Sequence, residues 1–282
     1  MAIPNLLTEA LATISQRLQA VGIVSFDAES EILLADFLGV SRGELTAMVL
    51  TGEGRDLSQL EGLVRRREQR EPLQHITGKA PFRSVELQVG RGVFVPRFET
   101  EMVTQIGIDF LRSLPSAGRA VDVGTGSGAI AISLARETPA TVVAIEASEA
   151  AAEFARRNIE TLAPSVELIV GDFAAELPKQ ESLDLVISNP PYIPANAVPI
   201  DPEVRDHDPE LALYSGEDGL NAIRELAVVA QVPLRSGGLL VIEHADGQSD
   251  DVRELLLSEG WRSVSVHPDN TGRLRAVSAL RK

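Results

Sequence analysis

Four residues of this chain, Asn189, Pro190, Pro191 and Tyr192, directly follow an apolar run that ends at Ser188. Neither proline has a backbone N–H and the ring fixes φ, so carbonyl groups and the Asn189 side chain dominate the local hydrogen-bonding surface. A rigid set of acceptors at the end of a buried strand predicts a site that binds a planar NH2 group. Asn-Pro and Pro-Pro dipeptides also simply terminate strands, and the four residues alone leave that second interpretation open.

A second candidate site is the glycine-rich stretch that follows Asp122. Its Gly-x-Gly-x-Gly spacing differs from the Gly-x-Gly-x-x-Gly of pyrophosphate-binding loops, and a carboxylate just before the turn would repel a phosphate. A cationic ligand suits this loop better. S-adenosylmethionine carries a sulfonium and an ammonium group and no phosphate. The predicted cofactor contacts here are Gly124, Thr125, Gly126, Ser127 and Gly128.

Two further carboxylates stand at the ends of the next two predicted strands. Glu146 is placed to accept both ribose hydroxyls, as acidic residues do in nucleotide-binding folds. Asp172 is placed to accept from the adenine amino group while Phe173 covers the ring. Each is also a common turn or cap residue, but at successive strand ends they support one another. We also expect Asn189 to contact the cofactor.

Strand ends must position these side chains, and the chain beyond Thr100 has the pattern that supplies them. Apolar strand-like runs alternate with helical segments, which is typical of a doubly wound, mostly parallel α/β sheet. The last two runs are separated only by a turn, which predicts a terminal antiparallel hairpin. The predicted strands are 120–123, 141–146, 166–170, 183–188, 239–243, 263–267 and 274–280.

The N-terminal part of the chain has a different pattern. From residue 3 to about residue 70 apolar side chains recur at helical spacing, and glycines divide the segment into about four short helices. Residues 81–97 then alternate, with a break at 90–92, which predicts a β-hairpin turning at that break. We therefore expect a small all-helical domain over residues 1–75, a linker with the hairpin over 76–100, and the α/β domain over 101–282.

The chain of 282 residues has a formal net charge of −15. Because a protein that binds nucleic acid must neutralise phosphates with Lys and Arg, stable nucleic-acid binding is not expected. One basic cluster, formed by Arg65, Arg66, Arg67 and Arg70, is interpreted as a solvated helix face.

The sequence contains no cysteine, which excludes disulfides and thiolate nucleophiles. Its four histidines are scattered without metal-ligand spacing, so no metal site is expected. The sequence has no run of about 18 apolar residues that could span a bilayer, and its amphipathic N-terminus lacks the basic region and the cleavage site of a signal peptide. A cytoplasmic enzyme without membrane contact is the expectation.

Taken together, the motifs resemble those of the release factor glutamine methyltransferases, the PrmC/HemK family. The resemblance implies a seven-stranded S-adenosylmethionine-dependent methyltransferase fold and methyl transfer to the side-chain amide nitrogen of the glutamine in the Gly-Gly-Gln motif of class 1 peptide release factors. It also implies that the helical domain recognises the release factor, and that Arg97, Glu99 and Thr100 line the cleft. Departures occur at Phe98, where the family usually has proline, and at 243–245, where Glu-Ile-Gly is commoner. The matching segments are 72–78, 95–101, 122–128, 188–194, 211–213 and 216–220.

The chemistry required by such a transfer agrees with the residues of the Asn-Pro-Pro-Tyr stretch. An amide nitrogen is a poor nucleophile because its lone pair is delocalised into the carbonyl, so catalysis depends on orientation and on acceptors for the developing positive charge. We expect the Asn189 side-chain oxygen and the Pro190 carbonyl to accept the two amide hydrogens. Tyr192 would pack against the glutamine chain, and Pro191 would complete the substrate-binding loop. No titrating general base is required.

Three other functions share part of this evidence. A methyltransferase acting on the amino group of a DNA or RNA base could use the same four residues, although the net charge of −15 argues against it. A non-catalytic protein that binds S-adenosylmethionine and docks a partner would not need an intact Asn189. A nicotinamide-dependent dehydrogenase is disfavoured by the glycine spacing.

Overall fold

The computed structural model describes residues 3–282, which divide into two compact units. The first unit extends to Gly78 and also includes Pro199–His207 from much later in the chain. The second unit comprises Lys79–Val198 and Asp208–Lys282. Among the described residues, no helix combines the length and the apolar character that crossing a membrane would need.

The first unit is helical and has its own apolar core. One face of the first helix is fully buried through Leu7, Ile14 and Leu18, which recur at the helical period. A fifth helix, too short to show a period, begins after Pro72 and ends at Gly78, whose φ is 74°. The helices are α1 (Leu7–Ala20), α2 (Phe26–Leu38), α3 (Arg42–Leu50), α4 (Leu60–Glu68) and α5 (Leu73–Thr77).

The interpretation of the arginine cluster as a solvated face is wrong for Arg67. That side chain is only 2% exposed, and its guanidinium contacts Glu29 at 2.5 Å and Glu203 at 2.7 Å, both within the first unit. Burial of a guanidinium requires such partners, because an unpaired buried charge is strongly destabilising. Arg65 and Arg66 pair with Glu61 and Glu71 instead.

The second unit begins with a hairpin whose turn lies earlier than predicted. Strand β1 (Lys79–Phe82) pairs with β2 (Val85–Gln88), so the chain reverses at Arg83, where φ is 50°, and not at residues 90–92. The predicted alternation from Val85 onward is real but belongs to one strand only. Val93 and Val95 are buried, yet they lie outside any strand. Apolar burial in a loop was thus mistaken for a second strand.

A seven-stranded sheet follows, in the order β5-β4-β3-β6-β7-β9-β8, as the resemblance implied. All neighbours from β5 to β7 are parallel, and β9 is antiparallel to both β7 and β8, which confirms the terminal hairpin. The strands are β3 (Arg119–Val123), β4 (Thr141–Glu146), β5 (Glu167–Val170), β6 (Leu183–Ser188), β7 (Leu234–Glu243), β8 (Arg262–Pro268) and β9 (Leu274–Leu280).

Helices cover both faces of this sheet, so its central strands carry apolar side chains on both faces. In β6, Leu185 and Ile187 face one core cluster while Val186 faces the other. The connecting helices are α6 (Phe98–Ser113), α7 (Ala129–Glu137), α8 (Glu149–Leu162), α9 (Phe173–Glu176), α10 (Pro202–His207, part of the first unit), α11 (Glu210–Leu213), α12 (Asn221–Val229) and α13 (Ser249–Ser258).

The strand order reverses between β3 and β6, because β4 and β5 extend the sheet on one side and β6 and β7 on the other. In open α/β sheets, ligands bind at the carboxyl ends of strands beside such a reversal. The loops after β3 and β6 are therefore the expected place for a site.

Candidate active site

The glycine loop and the Asn-Pro-Pro-Tyr loop start side by side at the carboxyl edge of the sheet. Val123, the last residue of β3, is paired with Ser188, the last residue of β6. The Ser188 hydroxyl donates a hydrogen bond of 2.7 Å to the Val123 carbonyl. The two predicted sites, 65 residues apart in sequence, thus leave the sheet from neighbouring positions.

The glycine loop has a backbone shape that only glycine adopts readily. The φ angles of Gly124, Gly126 and Gly128 are 69°, 57° and 88°, all in the left-handed region. The N–H groups of Gly124 and Thr125 both donate to the Ile145 carbonyl of β4, at 2.9 and 3.0 Å. The loop is therefore held by main-chain contacts, and side-chain atoms do not separate a ligand from the backbone at its glycines.

Asp122 shapes this loop from below. Its side chain is fully buried and accepts hydrogen bonds from the Thr125 hydroxyl at 2.6 Å and from the Ala131 N–H at 3.1 Å. Burial raises the pKa of Asp122 to about 7, against the lowering effect of those two donors. The sequence predicts that this carboxylate favours a cationic ligand. In the structure it points instead toward the glycine loop and α7.

Thr125 and Ser127 are also used internally. Both residues are buried, the Thr125 hydroxyl is bound to Asp122, and the Ser127 carbonyl accepts a hydrogen bond of 2.9 Å from Asn158. Their predicted contact with a cofactor remains a prediction, and the Thr125 side chain contributes first to the loop itself.

Glu146 closes over the glycine loop from the end of β4. One carboxylate oxygen accepts from the Gly126 N–H at 2.8 Å, and the other accepts from the Ser148 N–H at 2.8 Å. A carboxylate oxygen has more than one acceptor direction, so the same group can also receive two hydroxyls of a ribose. The glycine loop and Glu146 therefore form one connected cradle.

Asp172 and Phe173 continue the edge at the end of β5. Asp172 is exposed, and its Oδ1 accepts from the Ala174 N–H at 2.8 Å, so it caps the short helix α9. Phe173 is half-buried and packs against the core cluster on that side of the sheet. Because β4 and β5 are neighbours, the structure brings Glu146 and Asp172 to the same edge.

The Asn-Pro-Pro-Tyr loop presents two acceptors. The Asn189 amide nitrogen donates to the Thr100 hydroxyl at 3.2 Å, which leaves its Oδ1 pointing elsewhere. Over residues 3–282, neither this oxygen nor the Pro190 carbonyl accepts a hydrogen bond from the protein. Pro190 is buried, while Asn189 and Pro191 are half-buried.

Tyr192 is a neutral phenol in this setting. Burial and the nearby Glu243 carboxylate raise the pKa of Tyr192 above its ordinary value. Part of its ring packs against the core cluster beside β7. Its hydroxyl therefore does not act as a base near neutral pH.

Comparison with known proteins identifies the chemistry of this arrangement. The PrmC N-terminal domain family model matches residues 9–78, and the Methyltransferase small domain model matches residues 87–201. The release factor glutamine methyltransferase of Streptomyces coelicolor is 48% identical over 98% of both chains. The protein of the same name from Mycolicibacterium smegmatis is 41% identical, again over 98% of both chains. This chain belongs to the release factor glutamine methyltransferases. Membership confirms the predicted family and the predicted enzyme class, a methyltransferase that uses S-adenosylmethionine.

Solved structures agree on the fold of the methyltransferase part. A methyltransferase from Pyrococcus furiosus superposes with a TM-score of 0.52 at 20% identity, covering 69% of this chain and 88% of that one. A ribosomal protein L11 methylase from Lactobacillus delbrueckii gives a TM-score of 0.50 at 18% identity, covering 70% of this chain and 84% of that one. At these identities the likeness shows the fold alone.

The stretch 211–220, which contains the matching family segments 211–213 and 216–220, supports the Asn-Pro-Pro-Tyr loop through the backbone. Ile193 donates to the Leu213 carbonyl at 2.8 Å, and the Ser215 N–H donates to the Ile193 carbonyl at 2.9 Å. Gly219 has a φ of 81°, and a Cβ built there would lie 2.2 Å from the Tyr192 carbonyl oxygen. That oxygen also accepts a hydrogen bond of 3.0 Å from Gln248. The role of Gln248 was not predicted, because nothing in its local sequence points to a loop 56 residues away.

The residues that the family resemblance placed in the cleft have identifiable partners. Thr100 lies against Asn189, as described. Arg97 pairs with Asp208 at 2.7 Å and lies 4.8 Å from the centre of the Phe94 ring, and the charges of Arg97 and Glu99 both act on Tyr192. Phe98, where the family usually has proline, is 76% exposed and so disturbs no packing.

Sequence reasoning also missed Glu243, the last residue of β7. It is 2% exposed, and burial raises the pKa of its carboxyl to about 7. The signal was available: an acidic residue at the carboxyl end of a central strand, the criterion that selected Glu146 and Asp172.

Proposed function

We propose that this protein transfers a methyl group from S-adenosylmethionine to the side-chain amide nitrogen of a glutamine in a peptide release factor, the glutamine being that of the Gly-Gly-Gln motif of class 1 factors. The observation that carries this proposal is the pair of acceptors at Asn189 Oδ1 and the Pro190 carbonyl. Two acceptors on one rigid loop match the two hydrogens of a primary amide. The names of the relatives support the same substrate.

The cradle beside that loop suits the proposed cofactor. Glycines with positive φ allow close approach of a ligand to the backbone, and the carboxylate oxygens of Glu146 can accept hydrogen bonds from a ribose diol. Asp172 and Phe173 stand at the next strand end for the adenine ring. When bound, S-adenosylmethionine would supply an electrophilic methyl group on its sulfonium. The remainder of the cofactor would leave as a neutral thioether, which needs no acid to protonate it.

The protein's part in the reaction is orientation. Asn189 and Pro190 accept the two N–H bonds and so fix the plane of the amide, which directs one face of the nitrogen toward the methyl group. As the nitrogen becomes positively charged its N–H groups become stronger donors, so both acceptors stabilise the transition state more than the ground state. The extra proton then leaves to water. Tyr192, a neutral phenol, packs against the aliphatic part of the glutamine.

Partner recognition belongs, in this proposal, to the helical residues 1–75. The match of that region to the PrmC N-terminal domain supports a role specific to this family. Stable binding to nucleic acid is not part of the proposal, since the net charge of −15 opposes phosphate contacts. A substrate that works in translation implies that the enzyme acts in the cytoplasm.

The decisive experiment is to incubate the protein with S-adenosylmethionine labelled in its methyl group and a purified class 1 release factor, and to map the label by mass spectrometry. We expect one methyl group on the side chain of the Gly-Gly-Gln glutamine. Parallel incubations with tRNA and duplex DNA serve as controls. Label on a nucleic acid, or no label on the release factor, would overturn the proposal.

A further inference from the structure

The end of the Asn-Pro-Pro-Tyr loop is held by a side chain that the methyl-transfer steps above do not use. Gln248 lies directly before α13, in the turn that follows β7. Its Nε2 donates to the Tyr192 carbonyl at 3.0 Å and to the Asp218 carbonyl at 3.4 Å. Its Oε1 accepts from the Ala245 N–H at 2.9 Å. One half-buried amide thus joins three separate segments of the second unit.

The three partners permit only one orientation of the Gln248 amide. A side-chain amide has a donor end and an acceptor end of nearly the same shape. The Ala245 N–H can only donate, whereas the carbonyls of Tyr192 and Asp218 can only accept. Reversing the amide would oppose two donors at one end and several acceptors at the other. The side chain is therefore a rigid link between main-chain groups.

The direction of the Pro190 carbonyl depends on how the ends of its loop are held. Neither Pro190 nor Pro191 has an N–H, so neither can be fixed by donating a backbone hydrogen bond. The beginning of the loop is held by the hydrogen bond from Ser188 to β3. Its end is held at Tyr192 by Gln248. Because the proline rings fix both intervening φ angles, anchoring the two ends sets the direction of the carbonyl between them.

The Tyr192 carbonyl oxygen is also closely packed on a second side. A Cβ built at Gly219 would lie 2.2 Å from that oxygen and 3.0 Å from the Gln248 Nε2. Gly219 and Gln248 therefore meet at one carbonyl group, and the space around it admits little movement. A change in either residue should move the same part of the loop.

We propose that Gln248 is a positioning residue for methyl transfer: by holding the Tyr192 carbonyl, it sets the place and direction of the Pro190 carbonyl that accepts a hydrogen of the substrate amide. This proposal rests on the proposed function. Gln248 acts through the main chain of the loop and does not touch the reacting atoms. A misplacement of about 1 Å is enough for a loss of roughly a hundredfold in rate. The signature of the role is a lower kcat at unchanged cofactor affinity.

The first test removes the polar ends of this side chain and keeps its length and unbranched shape. We expect Gln248→Met to lower kcat on a purified release factor by roughly tenfold to a hundredfold, because the loop is no longer held in register. The dissociation constant of S-adenosylmethionine, measured by titration calorimetry, should change by less than about twofold, because no contact of the glycine loop is altered.

Gln231 supplies the matched control. It is also half-buried, and its Nε2 donates to the carbonyls of Ala227 and Glu259 at 3.3 and 3.0 Å, away from the Asn-Pro-Pro-Tyr loop. We expect Gln231→Met to lower the melting temperature about as much as Gln248→Met while kcat stays within about twofold of wild type. Equal losses of kcat in both variants would assign the effect to lower stability and overturn the positioning role.

A second variant separates the hydrogen bond to the loop from the one within the turn before α13. Gln248→Glu still accepts from the Ala245 N–H, but an ionised carboxylate cannot donate to the Tyr192 carbonyl. Its kcat should fall at least as far as that of Gln248→Met. A role confined to the turn predicts wild-type kcat here. Should Gln248→Met fail to fold, Gln248→Ser, a residue type favoured before a helix, provides the same comparison.

A double variant asks whether Gln248 acts at the Tyr192 carbonyl. Gly219→Ala pushes on the same oxygen, so the loss of kcat in Gly219→Ala/Gln248→Met should be clearly smaller than the product of the two single losses. Losses that multiply would mean that the two residues act independently, which would overturn the proposal.

The outcomes separate this proposal from the function on which it rests. If the wild-type protein leaves the release factor glutamine unmethylated, the proposed function fails. If the wild type methylates it and Gln248→Met keeps wild-type kcat, only the positioning role of Gln248 is overturned.

Discussion

The two loops at the carboxyl edge of the sheet are held in different ways. The side chains that support the glycine loop lie within 31 residues of the positions they bind: Asp122 binds Thr125 three residues on and Ala131 nine residues on, Glu146 binds Gly126 twenty residues back, and Asn158 binds the Ser127 carbonyl. The Asn-Pro-Pro-Tyr loop is supported from far away in sequence. Asn189 is held by Thr100, 89 residues distant, and the Tyr192 carbonyl by Gln248, 56 residues distant.

That difference follows from what each loop has to do. The glycine loop offers a backbone surface, and backbone shape is encoded by residue types at fixed local spacing. The Asn-Pro-Pro-Tyr loop offers an oriented side-chain amide, whose orientation must be set by groups outside the loop. If this comparison is correct, changes to one loop should affect cofactor affinity and changes to the other should affect turnover. The following variants test it, from the largest expected effect to the smallest.

Replacing the acceptor itself should have the largest effect. We expect Asn189→Ala to lower kcat on a release factor by roughly 10²- to 10³-fold, because one transition-state acceptor is lost. The measurement is transfer of labelled methyl under saturating cofactor. Asn196→Ala, in the exposed part of the same loop, is the control and should behave as wild type. Near-normal turnover by Asn189→Ala would remove the basis for the assigned chemistry.

The second-largest loss of turnover is expected when the Asn-Pro-Pro-Tyr loop is displaced by a change in Gly219, which packs against it. In Gly219→Ala the added methyl would lie 2.2 Å from the Tyr192 carbonyl oxygen, so the loop must shift. A misplacement of about 1 Å is enough for a loss of around a hundredfold in rate. Cofactor affinity should stay within a few-fold of wild type. Gly237→Ala is a matched control, since its φ of 75° imposes similar backbone strain but no atom lies within 4 Å of the new Cβ. Equal losses in both variants would assign the effect to strain alone.

On the cofactor side, Glu146→Gln should weaken binding of S-adenosylmethionine by roughly thirtyfold, equivalent to about 2 kcal/mol for hydrogen bonds to a charged group. Turnover at saturating cofactor should change little, because the residue does not contact the reacting nitrogen. Titration calorimetry and saturation kinetics together separate the two effects. A loss confined to kcat would contradict the division of labour between the loops.

The smallest effect concerns stability. A carboxyl whose pKa is raised from 4.5 to about 7 on folding stabilises the fold below pH 4.5 and loses that contribution as the pH rises through 7. At pH 8 the fold must keep an ionised carboxylate buried, which lowers its stability, and Glu243→Gln removes that cost. The variant should therefore raise the free energy of unfolding at pH 8 by about 1 kcal/mol, or roughly 2–4 °C in melting temperature. At pH 4.5 the gain should vanish. Asp122 titrates in the same range, so the comparison must be between variant and wild type at each pH. A lower melting temperature at pH 8 would show that Glu243 serves mainly to hold the fold together.

Much of the fold could be predicted from the sequence, and the successes have a common cause. Strands β4 and β6 begin and end at the predicted residues, because continuous apolar runs in a parallel sheet stop where the chain reaches its polar edge. The linking hairpin was misplaced because Val93 and Val95 are buried without being in a strand. Alternating apolar residues indicate which side chains are buried, but a segment is a β-strand only if its backbone pairs with a neighbouring strand.

The segment 199–207 illustrates a second limit. It lies within the acidic, proline-containing stretch after the Asn-Pro-Pro-Tyr loop, yet it belongs to the same compact unit as the N-terminal helices. Its Glu203 shares the buried Arg67 with Glu29. The ion pair joins residues 136 positions apart, and local sequence gives no sign of a partner at that distance.

The sequence by itself determined the family, the enzyme class, the sheet and the identity of the two loops, because glycine spacing, paired prolines and apolar runs are properties of local chemistry. Tertiary structure alone decided how the loops are held: Asp122 is turned inward, Gln248 donates to the Tyr192 carbonyl, and the Thr100 hydroxyl accepts from Asn189. The physical reason is that a hydrogen bond between distant residues leaves no period or spacing in the chain. Only the strand order that brings their carboxyl ends together makes these contacts possible.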